Sequence, residues 1–166
     1  MKDALSPPDT LHLAAAEGWL ELGNWSEATA ELGRITPVNL AHPDVLVIRY
    51  EIYAMAAQWE MAATVADEVC RLAPDDAIGW IYRSFALHEL KQTETAWVAL
   101  LPAAEKFPEK PEIPYNLACY AAQTGRLKEA RVWLAQAFEV GEKEELRMEA
   151  LEDPDLMPLR TEIGKL

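Results

Sequence analysis

The feature that most constrains this chain is a spacing. Ala28, Ala62, Ala96 and Ala130 stand 34 residues apart, and the same offset relates whole columns of residues around them. Twelve positions earlier come Ala16, Tyr50, Ser84 and Ala118; nine earlier, Trp19, Tyr53, Leu87 and Ala121; three earlier, Trp25, Trp59, Thr93 and Leu127. Four positions later come Leu32, Ala66, Leu100 and Leu134, and seven later Ile35, Val69, Ala103 and Ala137. A copy of this length is a helical hairpin, which cannot bury its apolar face alone and must stack on the next copy. Small residues recurring on both helices let two antiparallel axes approach closely, and the large ones fill the holes beside them. The fold class is therefore all-α.

The spacing predicts first helices over 9–22, 43–56, 77–90 and 112–124, and second helices over 25–36, 59–72, 93–106 and 127–140. Proline marks most of the joints, at Pro7, Pro8, Pro37, Pro43, Pro74, Pro108, Pro111 and Pro114, where helices start or stop. The expected organisation is a flexible tail over 1–8, four tandem repeats over 9–141 and a cap over 142–166. Gly141 is a natural helix stop; the charged stretch after it is amphipathic through Leu146, Ala150 and Leu151, and Asp153-Pro154-Asp155-Leu156 restarts a short turn or helix ending near Ile163. The last hairpin of a stack exposes an apolar face, and this cap is placed to cover it.

The residues at these positions resemble the tetratricopeptide repeat (TPR) family. The best local matches are Trp80 to Pro108, through Ser84, Leu87, Ala96 and Ala103, and Tyr115-Asn116-Leu117-Ala118 followed by Gly125 and Ala130. The run from Trp80 to Leu159 further resembles stand-alone bacterial repeat proteins ending in Asp-Pro-Asp-Leu, a likeness that carries no activity. The family resemblance implies a right-handed α-solenoid of four TPR hairpins plus a C-terminal capping helix. Two departures matter. The usual Leu of the first helix is Ala15, Arg49, Arg83 and Leu117, and the usual turn glycine survives as Gly23 and Gly125 but is Ala57 and Lys91 in the middle repeats. A left-handed cap there costs about 1 kcal/mol, so those two turns are expected to close differently.

The resemblance also implies that first helices line a concave groove. The inward positions are Leu13, Glu17 and Leu20; Val47, Glu51 and Ala54; Ile81, Phe85 and His88; and Tyr115, Cys119 and Ala122. This surface is apolar with a few carboxylates and lacks the Lys and Asn set with which some relatives grip a C-terminal carboxylate. One reading makes it a groove for an extended or helical peptide with apolar anchors and basic character; the other makes these side chains packing between neighbouring first helices. Arg49 and Arg83 likewise have two readings: paired with carboxylates such as Glu51, Glu17 or Glu89, or gripping an anionic group of a ligand. Trp97 and Trp133 are expected to pack between repeats.

Chemistry is thinly represented. His12, His42 and His88 have no ligand spacing, Cys70 and Cys119 read as buried thiols, and nothing resembles a phosphate loop, a nucleophile elbow or a paired acid and base. The chain is read as a non-enzyme with no cofactor and no metal. A net charge of -13 disfavours broad contacts with nucleic acid or anionic lipid and favours basic partners. With Asp3 directly after Met1-Lys2 and no apolar run of membrane length, a cytoplasmic protein is expected. The leading function is a protein-interaction adaptor, a monomer or weak dimer. The alternatives are a small acidic TPR-type chaperone holding a secreted or aggregation-prone client, and a self-assembling structural protein.

Overall fold

The computed structural model describes residues 4–166. Eight helices alternate as the spacing demands: α1 (Asp9–Glu21), α2 (Trp25–Leu32), α3 (Pro43–Met55), α4 (Trp59–Leu72), α5 (Ala77–Glu89), α6 (Thr93–Lys106), α7 (Glu112–Gln123) and α8 (Leu127–Val140). The chain continues as α9 (Lys143–Glu152), a 3-10 helix (Pro154–Leu159) and α10 (Arg160–Ile163). Among the described residues there is no strand, and no helix is long and apolar enough to cross a membrane. Of the segment expected as a tail, Met1 to Asp3 lie outside the described residues, and Leu5 rests half-buried against the first core cluster.

Helix ends fall within a residue or two of expectation except at α2, which stops at Leu32 rather than at 36. The cause is Asp9, only 2% exposed. Its carboxylate accepts from the Thr36 backbone N (2.9 Å), the Thr36 hydroxyl (3.0 Å) and the Asn39 amide (2.6 Å). A helix running on would have returned the Thr36 N–H to Leu32; here it belongs to Asp9. Pro37, which has no N–H to give, then opens a short 3-10 helix, Pro37–Asn39. Asp9 thus ties the start of α1 to the joint between the first two hairpins.

Contacts divide the chain into two compact units, with the division between Ala86 and Leu87 inside α5. In the first, α1 packs on α2, α3 on α4, and α3 also on α1 and α2. Its core runs from Leu13, Leu20, Leu32 and Ile35 through Val45, Ile48 and Ile52, then through Leu46, Tyr50, Val65 and Val69. In the second, α7 packs on α6 and α8, and α9 on α8. Leu117, Tyr120, Leu134 and Phe138 are buried there together with Leu156, Leu159 and Ile163 of the C-terminal segment, all three 0% exposed. The four alanines that set the spacing are each 0% exposed, so no larger side chain has room there. The approach of α5 to α4 is closer still: a Cβ on Gly79 would stand 2.8 Å from the Cys70 backbone N.

The middle turns correct the expectation drawn from them. Ala57 (φ 53°) and Lys91 (φ 63°) adopt the same left-handed conformation as Gly23 (73°) and Gly125 (78°). All four turns carry the same pair of bonds. The left-handed residue donates its N–H to a carbonyl three residues back, as in Lys91 to His88 (2.8 Å), and the next residue donates five back, as in Gln92 to Leu87 (3.0 Å). A three-residue link between helices spaced this closely leaves one closure, and tertiary packing imposes it on Ala and Lys at about 1–2 kcal/mol each.

Replacing both strained residues, Ala57→Gly with Lys91→Gly, removes that cost while loosening the unfolded chain, for a net gain of about 1 kcal/mol. Urea unfolding should show a higher midpoint with an unchanged slope; a lower midpoint would mean the turns are not strained. Asp9 generates a pH dependence. Its hydrogen bonds, first from Asn39 and then from the Thr36 backbone, hold the carboxyl below its usual range despite burial. The stabilisation is complete above the ordinary aspartate value of about 3.9 and is lost as pH falls through the folded value. Asp9→Asn should therefore be less stable than wild type at neutral pH, with the gap closing as pH falls below the ordinary aspartate value of about 3.9. A gap constant with pH contradicts this assignment.

Candidate functional site

In the first unit the inner faces of α1 and α3 form an open trough of about 580 Å³. It is lined by Glu17, Leu20, Glu21, Val47, Ile48, Glu51 and Met55. Four expected groove residues, Glu17, Leu20, Val47 and Glu51, are brought together here. Leu13, one turn before Glu17, is buried in the first core. Glu21, Ile48 and Met55 were not anticipated, although Glu21 and Met55 lie one turn beyond Glu17 and Glu51 on the same helical faces, which is the signal that would have found them.

Electrostatically the trough has one sign. Its apolar floor is rimmed by Glu17, Glu21 and Glu51, and no basic side chain is among its lining residues. Glu51 is held in place by the Tyr82 hydroxyl, which donates to it at 2.6 Å. The Tyr82 ring is stacked on Tyr50, with centroids 3.9 Å apart and planes 11° from parallel. Burial first, and the Glu51 carboxylate second, push the Tyr82 phenol well above its ordinary value, so it stays a donor. Further along, Ile81 is half-buried, and Phe85 is 40% exposed with its ring edge-on to Trp59 at 5.7 Å.

The corresponding positions of the second unit face the chain's own C-terminal segment. His88, 6% exposed, sits between Thr93 Oγ1 (3.0 Å) and Asp155 Oδ2 (2.8 Å). The Tyr115 hydroxyl donates to Asp153 Oδ2 at 3.1 Å, the Cys119 thiol reaches the same oxygen at 3.6 Å, and the Gln123 amide donates to the Asp155 carbonyl at 2.9 Å. Burial, then the neighbouring acidic groups, push the Cys119 thiol up, and Tyr115 is likewise raised chiefly by burial. Asp153 and Asp155 therefore carry a local structural role that the sequence alone did not show: they plug the inner face of α7 as the capping segment folds back.

Elsewhere, Arg83 pairs with Asp67 Oδ1 of α4 at 2.7 Å rather than with the expected Glu51, Glu17 or Glu89. Both partners are largely exposed, so the pair contributes under about 1 kcal/mol. Arg49 has no ion-pair or hydrogen-bond partner among the described residues and lines a separate cavity on the opposite face of α3. Trp97 and Trp133 meet edge to face at 6.4 Å, and Arg126 lies 4.1 Å above the Trp97 ring, which is the packing role expected for the two tryptophans. Cys70 is half-buried, its thiol pushed up to about 11 chiefly by burial.

No protein-family model matches this chain, and no curated protein sequence does. Solved structures do. The thermophilic TPR protein TTC0263 of Thermus thermophilus is 22% identical, with a TM-score of 0.74 over 86% of this chain and 79% of that one. MamA of Desulfovibrio magneticus, from residue 41 on, is 18% identical, with a TM-score of 0.73 over 98% and 94%. YrrB, described as a TPR protein with an unusual peptide-binding site, is 13% identical, with a TM-score of 0.65 over 93% and 84%. Identities this low carry the fold alone, and that fold, reached independently from the 34-residue spacing and from the helices and turns it produces, is the α-solenoid of tetratricopeptide-repeat proteins.

Proposed function

We propose that this chain is a non-catalytic protein-interaction scaffold whose α1–α3 trough holds a peptide or protein segment with an apolar anchor flanked by basic side chains. The observation that carries the reading is the single-signed trough: Leu20, Val47, Ile48 and Met55 form an apolar floor, with Glu17, Glu21 and Glu51 around it and no cation among the lining residues. The existence of a TPR-fold neighbour described by its peptide-binding site supports a peptide as the guest.

Magnitudes assign the roles. Burying one large apolar side chain of a guest contributes about 1.5–3 kcal/mol, whereas an exposed carboxylate–ammonium pair contributes about 0–1 kcal/mol. The anchor supplies affinity; the carboxylates supply orientation, faster encounter and rejection of acidic segments. A net charge of -13 acts in the same direction.

The test is fluorescence anisotropy with two labelled peptides, one alternating Lys and Leu and one alternating Glu and Leu. Wild type should bind the Lys–Leu peptide, more weakly as salt is added, and reject the Glu–Leu peptide. Glu17→Lys with Glu51→Gln should weaken binding by about tenfold, the equivalent of 1.4 kcal/mol, while circular dichroism stays unchanged. Gln at 51 keeps an acceptor for Tyr82. Equal binding of the two peptides, or an unaffected double variant, overturns the proposal. The discriminating substitutions belong on α1 and α3, because Tyr115 lies beneath the chain's own tail and its loss would disturb the cap.

A further inference from the structure

The side of α3 turned away from the trough bears a second feature. Arg49, Ile52 and Tyr53 of α3, with Thr29, Leu32 and Gly33 of α2's end and Leu40 of the following joint, enclose an open cavity of about 230 Å³. Its walls are mostly apolar, with Leu32, Leu40 and Ile52 the aliphatic members. Into this setting the sequence places a guanidinium, at the position that reads Ala15, Arg83 and Leu117 in the other hairpins.

What sets Arg49 apart is a half-buried guanidinium without a carboxylate partner in a chain rich in carboxylates; Arg160 also lacks one, but it is exposed and reaches Met157 Sδ at 3.8 Å. Arg34 pairs with Glu31, Arg71 with Glu68, Arg83 with Asp67, Arg126 with Glu94, Arg131 with Glu162 and Arg147 with Glu144. Arg49, half-buried, has neither an ion pair nor a hydrogen bond among the described residues, and the Tyr53 hydroxyl on the same cavity has none either. Acidic groups outnumber basic ones in this chain, 28 to 15, so an unpaired half-buried guanidinium is not for want of acceptors. Two side chains with unused donor capacity therefore line one small, mostly apolar cavity.

We propose that this cavity is a binding site for a compact apolar monocarboxylate. The carboxylate accepts two parallel N–H bonds from the planar Arg49 guanidinium, with the Tyr53 hydroxyl available as a third donor. The aliphatic or aromatic remainder displaces water from Leu32, Leu40 and Ile52. The volume admits about ten heavy atoms, since an engineered apolar cavity of about 150 Å³ accommodates benzene. A dianion or a bare inorganic anion is disfavoured: the walls offer no further cation, and the field of the whole chain is negative. The required chemistry is shared by a free small carboxylic acid and by a peptide C-terminus ending in an apolar residue. This site is separate from the α1–α3 trough, so either assignment stands or falls without the other.

The test is a backbone amide NMR titration of the full chain with phenylacetate, N-acetyl-leucine and the uncharged phenylacetamide. Saturable shifts are expected at Leu32, Gly33, Arg49 and Tyr53, with a dissociation constant of about a millimolar or below. Phenylacetamide should bind at least about tenfold more weakly than phenylacetate, because it forfeits the charge-assisted bonds. Arg49→Met should abolish the shifts, Arg49→Lys should weaken them by losing the bidentate geometry, and Tyr53→Phe should weaken them several-fold. Saturation by phenylacetate alone identifies a free acid as the ligand type, and saturation by N-acetyl-leucine alone a peptide C-terminus. If neither acid saturates, or if the amide binds as well as the acid, the proposal is wrong, and this comparison on wild type holds even if Arg49→Met does not fold.

Discussion

The rest of the structure depends on how closely neighbouring helices approach. Ala28, Ala62, Ala96 and Ala130, each fully buried, leave only a methyl group between packed helices, and the residues four and seven positions later fill the space that remains. Where even a methyl is too much the chain uses Gly79, against the backbone at Cys70. Interiors packed to crystal density do not accept an added methylene without displacement, so each of these positions fixes an interhelical distance. With distances fixed and links only three residues long, the turns have no freedom left.

That constraint is strong enough to override local preference. Ala57 and Lys91 stand in a backbone region that L residues avoid, yet their turns carry the same hydrogen bonds as those of Gly23 and Gly125. At Asp9 the balance runs the other way. A single buried carboxylate with three donors ends α2 early and fixes the joint that follows. In the first case packing defeats propensity, and in the second a polar network defeats helix propagation.

Helix positions were legible from the sequence because the repeat spacing samples them four times over, and the prolines mark the joints. The trough on α1 and α3 was legible in part: inward positions one turn apart include Glu17, Leu20, Val47 and Glu51. The chemistry at His88, Tyr115 and Cys119 was not, because their partners Asp153 and Asp155 lie 34 to 67 residues away in a segment with no repeat equivalent. The same limit hid Asp67 as the partner of Arg83, and the Asp9 network that spans 27 to 30 residues. Periodicity reports which face a residue occupies, and says nothing of which nonrepeating group will meet it.

The two units thus treat equivalent surfaces oppositely. On α7 the inner face is filled by the chain itself, and three fully buried aliphatic side chains, Leu156, Leu159 and Ile163, anchor the filling segment by about 5–9 kcal/mol at the upper bound of area-based reckoning. On α1 and α3 the equivalent face is open and acidic. Alkylation kinetics in a Cys70→Ser background compare the two directly, with the native Cys119 reporting on the covered face and Val47→Cys on the open one. The account predicts labelling at Val47→Cys faster than at Cys119 by at least about a hundredfold, since Cys119 reacts only through local opening of the C-terminal segment. Comparable rates at the two positions would contradict it.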